Sequence, residues 1–148
     1  MEDYREVTWL MERILHKYMQ YEKIPQRYCK DVLLTQPEIH TLAIVGDQKG
    51  INVTQLAKMR GITKGAASQM IYRLVDKGLV EKKVSPESDA AVCLILTAKG
   101  EQARKEHRNR HKKMQKRFAS LMDAIPADAR CRMITFLNEF EAELDGMK

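Results

Sequence analysis

Residues 52–84 run NVTQLAKMRGITKGAASQMIYRLVDKGLVEKKV, and this stretch decides the fold. Two short helical patterns meet at Gly61, whose backbone freedom suits a tight turn between helices. Thr63 follows as a good N-cap, because its hydroxyl can accept a hydrogen bond from an unsatisfied backbone N–H. A strand pattern begins after Gly78. The sequence therefore predicts a winged helix-turn-helix.

The second helix of this motif has two different faces. At 3.6 residues per turn, Ala67, Met70, Ile71 and Leu74 fall on a side that should face a core. The other side suits DNA, because Gln pairs with adenine edges, Arg with guanine edges or phosphate, and small residues permit close approach. An ordinary solvated surface is the alternative. The predicted DNA-binding residues are Thr63, Lys64, Gly65, Ser68, Gln69, Tyr72, Arg73, Lys77, Lys82 and Lys83.

The positive charge is concentrated in two segments. The chain has 26 Lys and Arg against 20 Asp and Glu, for a formal net charge of +6. Residues 49–84 hold eight basic and two acidic side chains, and residues 97–118 hold nine basic and two acidic ones. Such clustering is typical of a protein that binds a polyanion. A helix-turn-helix fits the major groove of B-DNA far better than that of A-form RNA, so duplex DNA is the expected partner.

Length and composition favour one domain over residues 1–148. No run of eighteen apolar residues is present, and the N-terminus has no basic and then apolar leader, so we expect neither membrane insertion nor export. Cys29, Cys93 and Cys131 are few, odd in number and widely spaced. They suit a reducing cytoplasm.

Periodicity predicts a mainly α-helical fold with a small β-wing. Pro25 ends the first helix, and Pro37 suits the first turn of the second. Thr97 should cap a long helix, and Pro126 should begin the last one. Five predicted helices span residues 3–23, 37–47, 64–77, 97–122 and 127–144, and a further helix starts near residue 53 or 54. The predicted strands span 79–84 and 92–96 around a turn at 85–89.

The first and last helices carry apolar stripes that lie outside a minimal winged helix. Val7, Ile14 and Tyr18 mark the first stripe, and Met133 and Leu137 belong to the last. Either these helices pack on their own domain, or they pair with a second copy. We favour a two-fold dimer, with residues 1–36 and 119–148 as dimerisation helices, 37–97 as winged helix and 97–122 as connecting helix. Such a dimer predicts a pseudo-palindromic DNA site.

The whole chain resembles the MarR family of bacterial transcriptional regulators. The segments that carry the resemblance are Leu34-Thr35, Leu56-Ala57, Gly61-Ile62-Thr63, residues 74–80 and the Leu-Thr-x-x-Gly pattern of residues 96–100. It implies a winged-helix homodimer that binds operator DNA, usually as a repressor, without enzymatic activity, and that responds to an effector. One departure concerns the wing, where the family often has Asp followed by Arg and this chain has Asp89-Ala90-Ala91. Lys82 and Lys83 offer phosphate contacts instead.

Histidines form the second informative pattern. His107 and His111 are four residues apart on one face of the predicted long helix, a spacing that suits metal chelation. Glu22 ends the stripe of the first helix, and His40 lies in the second helix. Interface or surface histidines are the alternative explanation. Two or three imidazoles with a carboxylate suit Zn(II), although Ni(II), Co(II), Mn(II) and Fe(II) accept similar ligands.

These positions are similar to those of the zinc-responsive, AdcR-type branch of the family. The resemblance implies a metal site made by Glu22, His40, His107 and His111. It also implies a second site at Cys29 and Glu106, but Ile39 stands where that site's third ligand, an acid, would be. The neighbouring Glu38 is the alternative third ligand.

Four other functions compete with metal sensing. Many proteins of this family hold a small organic effector between helices one, two and five, and Cys29 could sense oxidants through its thiol. The winged helix could instead be a protein-interaction module. A hydrolytic metal centre is disfavoured, because residues 107–111 lack the glutamate general base of an H-E-x-x-H motif.

Overall fold

The computed structural model of the chain describes the backbone of residues 2–85 and 88–147 and the side chains of residues 4–84 and 91–147. Its helices are α1 (Glu2–Lys23), α2 (Gln36–Asp47), α3 (Val53–Arg60), α4 (Lys64–Asp76), α5 (Ala98–Asp123) and α6 (Ala127–Gly146). Its strands are β1 (Gln26–Cys29), β2 (Val32–Leu34), β3 (Val80–Ser85) and β4 (Ser88–Leu96). The predicted winged helix-turn-helix is confirmed.

The chain divides into two compact units within α5. The first unit covers residues 1–108 and the second covers residues 109–148. The first therefore holds the whole winged helix-turn-helix, and the second holds the rest of α5 together with α6. The prediction of one domain over the full chain stays a prediction.

An apolar core holds the first unit together. Side chains from β2, the helices α2 to α5 and both wing strands meet in it, and most are fully buried. Its largest fully buried side chains are Leu34, Ile39, Leu42, Leu56, Ile71, Leu74, Leu79, Leu94 and Val80. Burial of each such side chain contributes about 1.5–3 kcal/mol to folding, so this core fixes the helix-turn-helix on its supports.

The N-terminal ends of the helices are capped by the residues that the sequence favours. Thr35 forms a reciprocal capping box with Glu38, and Asn52 forms one with Gln55. The Thr63 hydroxyl accepts a hydrogen bond from the Ala66 N–H at 3.1 Å, as predicted. These caps set where α2, α3 and α4 begin.

The start of α5 packs closely on the start of the wing. The Thr97 hydroxyl accepts a hydrogen bond from the Gly100 N–H at 3.0 Å and donates one to the Gly78 carbonyl at 2.7 Å. Gly100 is buried, and a Cβ at this position would overlap the carbonyl oxygen of Leu79. The Leu-Thr-x-x-Gly pattern is thus a physical requirement of this junction.

The wing is an antiparallel pair of β3 and β4, with Val80 opposite Leu96 and Lys83 opposite Cys93. Its second strand begins at Ser88 rather than Val92, so it is longer than predicted. Residues 86 and 87 of the predicted turn lie outside the described residues.

A second two-stranded sheet was not predicted. β1 and β2 form an antiparallel hairpin between α1 and α2, with Gln26 opposite Leu34. Tyr28, Val32 and Leu34 are buried in the core. This hairpin joins the first helix to the winged helix-turn-helix.

The apolar stripes of the terminal helices remain exposed within their own units. Ile14 of α1 is 61% exposed in the first unit, and Leu137 of α6 is 47% exposed in the second. Phe136 and Phe140 of α6 stack with ring centroids 6.1 Å apart. None of the helices in the described residues combines the length and apolar character that a membrane span requires.

Candidate functional site

The helix α4 is held so that one face is buried and the other is open. Gly61 ends α3 in the left-handed conformation, with a φ of 65°, and this turn lets α4 start three residues later. Ala67, Ile71 and Leu74 are fully buried, and Met70 is half-buried, as predicted.

The outward face of α4 consists of Lys64, Gly65, Ser68, Gln69, Tyr72 and Arg73, and all six are exposed. Tyr72 is 69% exposed. Within the described residues, none of the five side chains on this face forms a hydrogen bond, an ion pair or a ring contact, so their polar groups are available to a ligand.

Lys77 differs from the other predicted DNA-binding residues. Its ammonium lies 2.8 Å from the Glu38 Oε1 and donates a hydrogen bond to the Leu33 carbonyl at 3.0 Å. Glu38 also accepts a hydrogen bond from the Thr35 N–H at 2.9 Å. The ammonium therefore ties the C-terminal end of α4 to the N-terminal end of α2.

Glu38 is stabilised as a carboxylate by these contacts. Burial would raise the pKa of Glu38, but the hydrogen bonds from Lys77 and Thr35 outweigh it, and the pKa is lowered. A carboxylate with a lower pKa in the folded chain stabilises the fold at neutral pH. That contribution disappears as the pH falls from the ordinary glutamate range through the folded pKa.

We expect Lys77→Met to lower the free energy of unfolding by about 1–3 kcal/mol near neutral pH, because it leaves a buried carboxylate without its cation. The loss should shrink in acid, where Glu38 is protonated in the folded protein. Urea titrations at fixed protein concentration, one near neutral pH and one in acid, measure the loss of stability. Lys82→Met removes the same charge from an exposed position and serves as the control, and equal losses in the two variants would contradict the assignment.

The two wing lysines are exposed on β3. Lys82 lies opposite Leu94, and Lys83 lies opposite Cys93. Successive residues of a strand point to opposite faces, so the two ammonium groups leave the wing in different directions. The side chains of Asp89 and Ala90 lie outside the description.

Two of the predicted metal ligands lie together in the first unit. The rings of His40 in α2 and His107 in α5 have centroids 5.3 Å apart. Tyr28 of β1 packs edge-on against His107 at 5.9 Å, and the Gln36 amide donates a hydrogen bond to the Tyr28 hydroxyl at 3.2 Å. The two imidazoles are thus neighbours, tilted by 59° to each other, beside a buried tyrosine.

The other predicted ligands do not complete this pair. Glu22 of α1 interacts with Tyr18, whose pKa is raised by burial and then by the Glu22 carboxylate. His111 belongs to the second unit. Among the described residues, no three His, Cys, Asp or Glu side chains form a group that could hold a metal ion. The donors of the first unit therefore fit half of a tetrahedral zinc site, which needs four ligands.

The residues predicted for a second metal site, Cys29 and Glu106, are half-buried. Burial raises the pKa of the Cys29 thiol, and the nearby Lys99 ammonium offsets this only in part. A raised pKa leaves less thiolate at neutral pH, which disfavours thiol sensing at this position.

Glu38 helps to position α4, a role that was not predicted from the sequence. One signal was present, because Thr35-Gln36-Pro37-Glu38 has the spacing of a capping box. Nothing in the sequence indicates that Lys77 bonds to Glu38, since the two residues are 39 positions apart.

Comparison with known proteins shows what this chain is similar to. Residues 34–89 match the MarR family. The chain is also 28% identical over 131 residues to an uncharacterised HTH-type transcriptional regulator, YhjH, of Bacillus subtilis. The matched region covers 80% of this chain and 75% of that protein.

Solved structures share the fold along nearly the whole chain. FabT of Streptococcus pneumoniae in complex with DNA is 22% identical, with a TM-score of 0.75 over 98% of this chain and 99% of that one. The zinc-dependent MarR-family regulator AdcR, in its Zn(II)-bound state, is 15% identical, with a TM-score of 0.76 over 97% of this chain and 99% of AdcR. ZitR of Lactococcus lactis in complex with DNA is 19% identical, with a TM-score of 0.75 over 93% of this chain and 97% of ZitR.

At these identities the structures establish the fold alone. The matched segment runs from β2 into β4 and includes the whole helix-turn-helix. Residues 34–89 of this chain thus match the MarR family, and the whole chain shares the fold of solved MarR-family regulators.

Proposed function

We propose that the chain is a homodimeric, sequence-specific repressor that binds pseudo-palindromic duplex DNA in the cytoplasm through α4. The observation that carries the proposal is the outward face of α4, whose exposed side chains have no partners within the described structure. A helix with such a face, supported by a helix-turn-helix, suits the major groove of B-DNA.

The chemistry of this face divides base contacts from phosphate contacts. Gln69 is suited to an adenine edge and Arg73 to a guanine edge, each through two hydrogen bonds. Lys64 at the start of α4 and Lys82 and Lys83 on the wing are suited to phosphates. Gly65 adds no side chain, so the backbone can approach the groove closely.

The dimer is supported by apolar surface that the chain leaves uncovered. Trp9, Ile14 and Met19 of α1 are more than half exposed within the first unit. In the second unit Leu121 is 70% exposed. Apolar surface on this scale is typical of an interface, and a two-fold dimer would bury it while presenting two copies of α4 to one DNA site.

Selection from a pool of pseudo-palindromic duplexes, followed by fluorescence anisotropy at several salt concentrations, tests the proposal. We expect tight, salt-dependent binding by a dimer, with random duplex bound at least a thousandfold more weakly. Sedimentation velocity gives the stoichiometry. Equal affinity for all duplexes would contradict specific recognition, and the absence of binding would favour a protein-interaction module.

We also infer that a divalent transition metal, with Zn(II) as the first candidate, modulates DNA binding. The neighbouring imidazoles of His40 and His107 favour this function over a histidine pair with no ligand. Glu22 and His111 are the proposed third and fourth ligands, and Cys29 and Glu106 would serve a second, weaker site. Zinc-dependent AdcR and zinc-responsive ZitR share the fold, which also supports the proposal.

We expect His107→Ala to weaken Zn(II) binding by at least tenfold and to remove any effect of zinc on operator affinity. Zinc content after dialysis and the zinc-dependent shift in melting temperature give readouts that do not involve DNA. His16→Ala is the matched control, because His16 is an exposed histidine of α1. Unchanged zinc binding in His107→Ala would refute the assignment and direct attention to an organic effector between helices one, two and five.

A further inference from the structure

A basic groove lies beside the helix-turn-helix, at the connection from α2 to α3. It encloses about 350 Å³, and it is open to solvent along the exposed side of α3. Buried Ile51 contributes to its floor. The Lys49–Lys58 groove, as we name it, is lined by Gln48, Lys49, Gly50, Ile51, Gln55, Lys58 and Met59.

The lining suits an anion. Both charged side chains in it are lysines, and none of the described lining residues carries a carboxylate. In the described part of the chain neither ammonium forms a hydrogen bond or an ion pair. The Gln55 Oε1 already accepts a hydrogen bond from the Asn52 N–H at 3.0 Å, so the amide group of Gln55 offers its N–H donors to the groove.

We propose that the Lys49–Lys58 groove binds a backbone phosphodiester of the duplex that α4 reads, which rests on the proposed function. The groove is formed by α3, the first helix of the helix-turn-helix, and in this motif the first helix crosses the DNA backbone. The tight turn at Gly61 couples α3 to α4, so a phosphate held at α3 fixes the register of α4 on the bases.

An open groove with two flexible cations also suits a continuous strand better than a small free anion. Lys49 lies in the connection before α3, and Lys58 lies in its last turn, so the two ammonium groups approach a ligand from both ends of the helix. Met59 is 54% exposed beside Lys58 and offers apolar contact to a deoxyribose. A free inorganic phosphate has the same charge chemistry, and the experiment separates the two sources.

The test compares the salt dependence of operator binding in Lys49→Ala/Lys58→Ala with that of the unmodified protein. Each phosphate contact contributes about 0.9 to the slope of log K against log salt concentration. We expect the magnitude of this slope to be smaller by about 1–2 in the double variant than in the unmodified protein. The preference of the double variant for operator over random duplex should change less than about threefold. Lys49→Arg/Lys58→Arg keeps both charges and should keep the slope.

Lys30→Ala/Lys105→Ala is the control for net charge. It removes the same charge from exposed positions in the hairpin turn and on α5, outside the helix-turn-helix. An unchanged slope in the groove variant, or an equal loss in this control, would overturn the inference. If the unmodified protein binds no duplex, the proposed function itself fails, which is a different result.

Inorganic phosphate added to the DNA-free protein at constant ionic strength distinguishes the ligand sources. We expect no saturable change in the amide NMR signals of residues 48–59. A saturable change that the double alanine variant abolishes, together with an unaltered DNA slope, would assign the groove to free phosphate and overturn the DNA contact.

Discussion

Replacing Gln69 and Arg73 together by alanine will lower operator affinity by roughly 30-fold to 20,000-fold for each half-site of the operator and leave the dimer intact. Each bidentate base contact contributes about 1–3 kcal/mol of discrimination, and about 1.4 kcal/mol corresponds to a tenfold change. Binding to random duplex should fall by less than about tenfold, since it depends on phosphate contacts. Anisotropy titrations at one salt concentration measure both affinities.

The structure makes this variant interpretable. Both side chains are exposed, and within the described residues neither has a partner that their removal would disturb. Gln102→Ala/Lys105→Ala removes an amide and a cation from exposed positions on α5, and it controls for general changes in charge and polarity. An operator affinity within twofold of the unmodified protein would discard α4 as the helix that recognises bases.

Gly100→Ala will lower the free energy of unfolding by about 3 kcal/mol, the upper end of the usual cost of overpacking. A Cβ at this position would overlap the backbone carbonyl oxygen of Leu79, and backbone cannot move aside as a flexible side chain can. The methyl group would push the first turn of α5 away from β3 and strain the hydrogen bonds of Thr97. Urea titration at fixed protein concentration measures the loss.

Gly65→Ala is the matched control for this substitution. Its nearest neighbour outside the helix backbone would be the Thr63 hydroxyl at 4.0 Å, which is ordinary contact. Alanine also favours a helix over glycine by up to about 1 kcal/mol. The two glycine substitutions should therefore shift stability in opposite directions. A Gly100→Ala variant as stable as the unmodified protein would contradict the prediction, because it would show that α5 can move away from β3 without lowering the free energy of unfolding.

Features were predicted correctly from the sequence where the residues that produce them lie close together in one segment. The two faces of α4 follow from helical period, and the caps at Thr63 and Thr97 follow from side chains that bond to nearby backbone. The family resemblance rested on such local segments, and the match over residues 34–89 confirms it.

Features were missed where the interacting residues are far apart in the sequence or where the secondary-structure element is short. The strands β1 and β2 have four and three residues, too few for an alternating pattern to stand out. The bond between Lys77 and Glu38 joins two helices, and no local pattern encodes it. His40 and His107 were grouped by resemblance, and their ring contact supports that grouping. The metal ligands as a set, and the domain boundaries, stay predictions.

The separation of roles within α4 has a consequence for how such a protein changes over time. The side chains that support the fold lie on one face, Lys77 secures the far end, and the outward face contributes no polar bond within the described residues. Under the proposed function, replacing Ser68, Gln69, Tyr72 or Arg73 on that face alters the preferred DNA target with little change in stability. New DNA sequences are therefore accessible to descendants, or to a designer, in single steps that each leave a folded protein.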